Sequence, residues 1–393
     1  MRRRSITFGI LAALALGHMV WPALRAQEKS APIRFAFGGN VSEIPAEFLD
    51  YLVFLPVGID DSQPSLFELD STASASSMDP TRAAELGLGD LDNPVLLLPG
   101  VEFRLSKLPT SAREHFGAQI GRAYQGTLGN DFLGSVVAEI DYGRQTVRLY
   151  DPGSYKYSGA GTSIPLTFSR GMPLIHAKID LPGQKAREGE FAIGTALDAA
   201  ILVSEQFAET HHLFSAHMKT IQSSDPQINN GENIALGRAK GFQIGPYQVE
   251  SAIVAFSPGG QAGGADKNFA GTIGAGLLRR FTVIFDYAHK QIIFAPNTYF
   301  AEYEEEDKSG LTIIAKGPRL KTFEVLAVQA STPAAEAGIQ KGDIIAGIDD
   351  EPAADLTLTS VRSLFRQIGH RYKLLIERNG QTLQISMQMR RLL

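Results

Sequence analysis

The chain of 393 residues contains no cysteine. That excludes disulfides, thiolate metal sites and a thiol nucleophile. Charged residues make up only 20% and hydrophobic residues 44%, a balance that belongs to a folded globular chain rather than a disordered one. Its longest N-terminal apolar run, Ile6 to Leu16, spans 11 residues, too short to cross a bilayer as a permanent helix. Several chemical signatures are missing too. There is no His-Glu-x-x-His spacing for zinc, no Gly-x-Ser-x-Gly elbow for a serine hydrolase, and neither dinucleotide nor P-loop spacing in Gly271-Thr272-Ile273-Gly274-Ala275-Gly276. No metal, nucleotide or other cofactor is therefore expected. His211, His212 and His217 near Glu205 and Glu209 read as a surface cluster.

What is present begins with Arg2-Arg3-Arg4 ahead of that apolar run, and Ala23-Leu24-Arg25-Ala26 ahead of Gln27. This is the pattern of a secretory signal over residues 1–26, with an uncleaved membrane anchor as the alternative. The compartment expected is a bacterial periplasm or the exterior. The formal charge of −5 makes nucleic acid an unexpected partner.

The most informative internal feature is a long-period repeat. Gly126-Thr127-Leu128-Gly129 matches Gly271-Thr272-Ile273-Gly274, and Ile140-Asp141-Tyr142 matches Phe285-Asp286-Tyr287, both 145 positions on. Upstream, Leu66-Phe67-Glu68-Leu69-Asp70-Ser71-Thr72 matches Glu190-Phe191-Ala192-Ile193-Gly194-Thr195-Ala196 at a spacing of 124. The difference implies an insertion in the second copy, within Asn229 to Gly241 or Pro258 to Gly264. Each copy holds an apolar strand running into a small-residue loop. In the first the loop tip carries Asp70; in the second the same place is Gly194.

Around the repeat, Ile33, Phe35 and Phe37 alternate as in a half-buried strand, and Pro80 to Leu86 reads as a helix closed by Gly87. The acidic run Glu302 to Asp307 reads as a solvated linker. Beyond it, Thr332 to Gly338 carries a hydroxyl cap, an early proline and a closing glycine, which together specify a short helix. Val361, Leu364, Phe365 and Ile368 fall at helical spacing. Two alternating strands then flank Asn379-Gly380, a two-residue hairpin turn.

These residues carry two resemblances. The first 300 positions resemble the fused two-lobe aspartic peptidases, whose motif is Asp-Thr/Ser-Gly after one apolar strand and two apolar residues with glycine after a later one. Asp70-Ser71, Leu128-Gly129 and Ile273-Gly274 meet it; Thr72 and Ala196 stand where glycine is expected, and Gly194 replaces the second aspartate. The C-terminal unit resembles a PDZ domain through Thr332-Pro333-Ala334-Ala335-Glu336-Ala337-Gly338 and Gly342-Asp343. Together they imply a mainly β chain: a pseudo-twofold pepsin-like or retropepsin-like double β lobe followed by a small α+β PDZ domain. The expected divisions are a signal over 1–26, lobe one over 27–155, lobe two over 156–300, an acidic linker over 301–308 and the PDZ domain over 309–393.

In an aspartic peptidase two facing carboxylates share one proton, so one acts as base while the other acts as acid. With Asp70 the remnant of that pair, and Ser71 and Thr195 bracing the loops, the resemblance implies a degenerate peptidase that binds extended polypeptide. The alternatives are an acid endopeptidase with a second carboxylate supplied from elsewhere, for which Asp198 is the nearest candidate, and an envelope scaffold. As a turn former, Asp70 also has the simpler reading of capping its own loop. In the PDZ unit the resemblance implies a peptide groove built from Ser309, Gly310, Leu311, Thr312 and Ile313 on one wall and Val361 with Leu364 or Phe365 on the other. Its partners would be polypeptide segments or protein C-termini, and a membrane only if the signal stays uncleaved.

Overall fold

The computed structural model describes residues 32–88, 91–111, 116–213, 218–223, 234–256 and 269–393. The expected signal over 1–26, His217, the Pro258 to Gly264 loop and the first part of the Asn229 to Gly241 candidate lie outside the described residues. Among the described residues no helix is long and apolar enough to cross a membrane.

Among the described residues, four large sheets carry the fold. Lobe one is an eight-stranded sheet with Leu52–Ile59, Ser65–Leu69 and Gly126–Leu128 side by side at its centre. Lobe two is a ten-stranded sheet in which Arg187–Gly194 and Gly271–Gly274 hold the corresponding places. The repeat is visible in the pairing. Phe67, Thr127's neighbour Gly126 and Leu69, Leu128 are parallel partners in lobe one, as Phe191, Gly271 and Ile193, Ile273 are in lobe two. Parallel pairing of strands so distant in sequence places both loop tips at the same end of their sheets.

A third sheet joins the halves. Its six strands run Thr162–Pro165, Gln291–Pro296, Phe281–Asp286, Val137–Asp141, Thr146–Tyr150 and Val41–Ile44. At its middle Glu139 faces Ile284 in an antiparallel pair. These two residues are also 145 apart, the spacing of the repeat. A residue that pairs with its own counterpart lies on the symmetry axis, so the approximate twofold runs through this pair. One continuous apolar core, including Phe67, Leu69, Phe132, Phe191, Ile193 and Phe285, spans both lobes.

The C-terminal unit has its own core of Ile313, Phe323, Ile345, Val361, Phe365 and Leu374. Its sheet orders Leu311–Lys316, Thr322–Val328, Ile344–Ile348, Arg371–Arg378 and Gln381–Gln388. The helix Leu358–Phe365 starts on a capping box made by Thr357 and Ser360. Asn379 and Gly380 turn the last hairpin with φ of 50° and 75°, the left-handed pair that a two-residue loop of this type demands.

Two expectations need correction. Phe37 does not continue the strand Ile33–Phe35: Ala36–Gly38 form a 3-10 turn and the Phe37 ring is fully exposed. The Gly38-Gly39 pair lets the chain turn there, and the Ala36 N–H bonds the Gly100 carbonyl. The acidic run is not a solvated linker. Glu306 is 4% exposed, pairs with Arg238 at 2.7 Å and accepts the Leu392 N–H at 3.0 Å. Glu304 accepts the Ile253 N–H at 3.0 Å, and Lys308 is fully buried against Glu305. Burial pushes the Glu304 carboxyl above its ordinary range, ahead of the hydrogen bond and cations that draw it down. The run fastens lobe two to the C-terminal unit because nearby arginines compensate its charge.

Candidate functional site

The loop tips bearing Asp70 and Gly194 meet. The Ser71 N–H donates to Thr195 Oγ1 at 2.9 Å, and the Thr195 N–H donates to Ser71 Oγ at 3.1 Å. Each hydroxyl then reaches across to the other strand: Ser71 Oγ to the Ile193 carbonyl at 2.7 Å, Thr195 Oγ1 to the Leu69 carbonyl at 2.5 Å. Both residues are wholly buried, so these bonds form out of water. The four contacts map onto each other at the repeat spacing of 124, which makes the grip symmetric although the two residue types differ.

Asp70 sits just beyond the grip and is 5% exposed. Its Oδ1 accepts the Thr72 N–H at 2.8 Å, the Thr72 hydroxyl at 2.6 Å and the Ala73 N–H at 3.2 Å. One carboxylate oxygen is therefore held by its own loop, as the turn-capping reading requires. The counterpart position is empty of functional groups and has little room. A Cβ built on Gly194 would lie 2.7 Å from Thr272 Cγ2 and 3.4 Å from Thr72 Cγ2. The first distance is below van der Waals contact, so a side chain enters only if Thr272 turns or is cut back. Asp198 lines a cavity of about 390 Å³ with Glu304, Asp307 and Arg366, at the junction with the C-terminal unit, and Asp70 is not among the residues that line it.

A support for the grip that sequence reasoning missed runs through Asn130 and Tyr287. Asn130 Nδ2 donates to the Ser71 carbonyl at 3.0 Å, and the Tyr287 hydroxyl donates to Asn130 Oδ1 at 3.0 Å. Burial, and then the nearby charge of Asp70, push the Tyr287 hydroxyl well above its usual pKa. The signal was in the repeat. Tyr287 is the counterpart of Tyr142, and Asn130, 145 positions on, becomes Ala275. The symmetric network would offer Tyr142 an acceptor at residue 275, and alanine has none. The Tyr142 hydroxyl is buried and has no hydrogen-bond partner among the described residues. Lobe two thus holds glycine where lobe one has Asp70, and alanine where lobe one has Asn130.

In the C-terminal unit Val361 and Phe365 are fully buried and Leu364 is half-buried, facing Ile313 from the helix side. Ser309 is buried; Gly310, Leu311 and Thr312 are half-buried. The N–H groups of this loop all have acceptors. Ser309 and Gly310 each donate to Asp307 Oδ1 at 2.9 Å, and Leu311 donates to Ser309 Oγ at 3.0 Å. Burial raises the Asp307 carboxyl, with the hydrogen bonds from Ser309 and Gly310 pulling the other way.

A sequence pattern for the PDZ domain matches positions 304–389. Residues 304–389 are a PDZ domain. PDZ domains typically bind peptide C-termini, by adding the peptide as a strand to an exposed sheet edge. The PDZ match begins inside the acidic run, consistent with its burial against the domain. No curated protein matches the chain. Among solved structures, the aspartic proteinase from Irpex lacteus aligns at 12% identity over 67% of this chain and 99% of its own, with a TM-score of 0.42. A photosystem II D1 C-terminal processing protease aligns at 25% identity over 21% of this chain and 22% of its own, with a TM-score of 0.19. The chain is mainly β, a double lobe followed by a C-terminal PDZ domain.

Proposed function

We propose that this is an exported, aspartic-peptidase-like protein that holds extended polypeptide and does not hydrolyse it. The observation that carries this reading is the combination at the loop tips. Ser71 and Thr195 tie the two loops together by reciprocal hydrogen bonds, while position 194 supplies no carboxylate and Thr272 crowds the space for one. Peptide hydrolysis asks one group to take a proton from water as another gives one to the carbonyl. Asp70 alone does one of these at a time, and losing a positioned acid or base costs about 10²–10⁴-fold in rate. Export is supported by the basic start and the apolar stretch Ile6 to Leu16.

The test compares the parent with Gly194→Asp and with Gly194→Asp/Thr272→Ser, incubated with unfolded casein at acid pH, new N-termini being counted. The parent is expected to be inert and the double variant to cleave in a pepstatin-sensitive way. Cleavage by the parent that disappears in Asp70→Asn would overturn the reading and make the protein an acid endopeptidase.

A further inference from the structure

A peptide added to a PDZ domain lies between the strand Leu311–Lys316 and the helix Leu358–Phe365. In this chain that trough borders lobe one directly. The short helix Phe116–Ile120 packs against the Leu311–Lys316 strand. Arg362, on the groove helix, reaches three acceptors at once: Asp50 Oδ2 at 2.7 Å, the Gln119 carbonyl at 2.8 Å and the Ile313 carbonyl at 3.5 Å. The last belongs to the strand with which a peptide would pair. The other two belong to lobe one.

The contact is built rather than casual. The ion pair is closed to water, with 14% of the Arg362 side chain and 2% of the Asp50 side chain exposed. Asp50 and Tyr51 both have left-handed backbones, φ of 45° and 73°, a conformation that non-glycine residues hold only where the surroundings enforce it. Gly121 has φ of 75°, and a Cβ there would lie 2.7 Å from Leu358 Cβ on the groove helix. Only glycine allows so close an approach. Ile120 anchors the segment from behind, buried with Leu52, Phe54 and Ala275. At the far end of the groove, Asp307 already occupies the N–H groups of Ser309 and Gly310.

We propose that the segment Gly117 to Gly121 of lobe one is an internal occupant of the PDZ groove, latched by Arg362, and that an extended peptide enters only when the PDZ domain and lobe one part. This rests on the groove being a peptide site, and it adds that the resting protein keeps that site closed. In such a closed protein the apparent affinity is reduced by the fraction of molecules that are open.

Two variants on the lobe side loosen the closure and leave every PDZ residue in place. Gly121→Trp wedges the segment off Leu358, and Asp50→Asn weakens the latch. The full chain is titrated, by fluorescence anisotropy, with a labelled pool of short peptides of random interior sequence ending in free Val, Leu, Ile or Phe, and with the same pool amidated. Hydrogen exchange of the Leu311–Lys316 amides reports the opening directly. The expected result is weak binding by the parent, with affinity rising about 10-fold or more in both variants as those amides exchange faster. Parent binding as tight as that of the variants would overturn the closure while leaving the groove a peptide site. Faster exchange with no binding of either pool would overturn both. If Gly121→Trp fails to fold, Asp50→Asn, which changes only one charge, decides between the same outcomes.

Discussion

Thr195→Val removes one hydroxyl from the grip and leaves its shape nearly unchanged. Thr195 Oγ1 accepts the Ser71 N–H and donates to the Leu69 carbonyl, and all three residues are buried. Valine satisfies neither group, and no water replaces the hydroxyl unless the loops separate. An orphaned buried polar group costs about 1–3 kcal/mol, so two of them should cost about 2–6 kcal/mol. That is a large share of the roughly 5–15 kcal/mol that holds an ordinary domain folded. With a urea slope of about 3 kcal/mol per molar, the unfolding midpoint should fall by about 0.7–2 M. Ser71→Ala should behave alike, since it orphans the Thr195 N–H and the Ile193 carbonyl. The atoms orphaned by the two changes are different. The double variant should therefore sum the single costs to within about 1 kcal/mol, the departure coming from the 3.3 Å contact between the hydroxyls. Equilibrium urea unfolding followed by circular dichroism and by the fluorescence of the 11 tyrosines measures all three. A loss below about 0.5 kcal/mol for Thr195→Val would refute the reasoning, since that is the range of an ordinary exposed position.

Tyr142→Phe should leave stability unchanged or raise it by about 1 kcal/mol, because it deletes a buried hydroxyl that has no partner; a thermal melt in which it loses stability would mean the hydroxyl is bonded after all. Tyr287→Phe should instead lose about 1 kcal/mol, since its hydroxyl bonds Asn130, which supports Ser71. Asp307→Asn should keep the acceptor for Ser309 and Gly310 while removing a half-buried charge. The native carboxyl is raised, so the native state holds its proton more tightly than the unfolded chain does, and its contribution to stability is present at acid pH and lost as pH rises through its folded pKa. The variant should therefore flatten the fall in stability between acid and neutral pH, as read by urea unfolding at several pH values, and an unchanged slope would count against the raised carboxyl. Gly194→Asp alone should be less stable than Gly194→Asp/Thr272→Ser, the difference reporting the crowding at Thr272 Cγ2.

Much was legible in the residues alone because it is local or periodic. Asn379-Gly380 requires left-handed φ at two successive positions, and the chain uses it so. The helix that Pro80 opens ends at Glu85, with Gly87 left-handed beyond it. The repeat spacing of 145 is written in the sequence, and it is also the separation of Glu139 and Ile284, which face each other across the lobes. Other features were not legible, because they depend on which distant surface arrives. Nothing in Glu304-Glu305-Glu306 says that Arg238 and Ile253 will come to meet it, so the run read as solvent-exposed.

The sequence by itself determined the duplication, the single acid at the loop tips and the PDZ signature, since each is written in residue type and spacing. Only the tertiary structure decided that Thr272 crowds the space over Gly194, that Asp307 takes up the N–H groups of the PDZ loop, and that Arg362 joins the groove helix to lobe one. The physical reason is that spacing along a chain sets what each strand or loop carries, whereas contacts between groups hundreds of positions apart are set by how the finished surfaces pack.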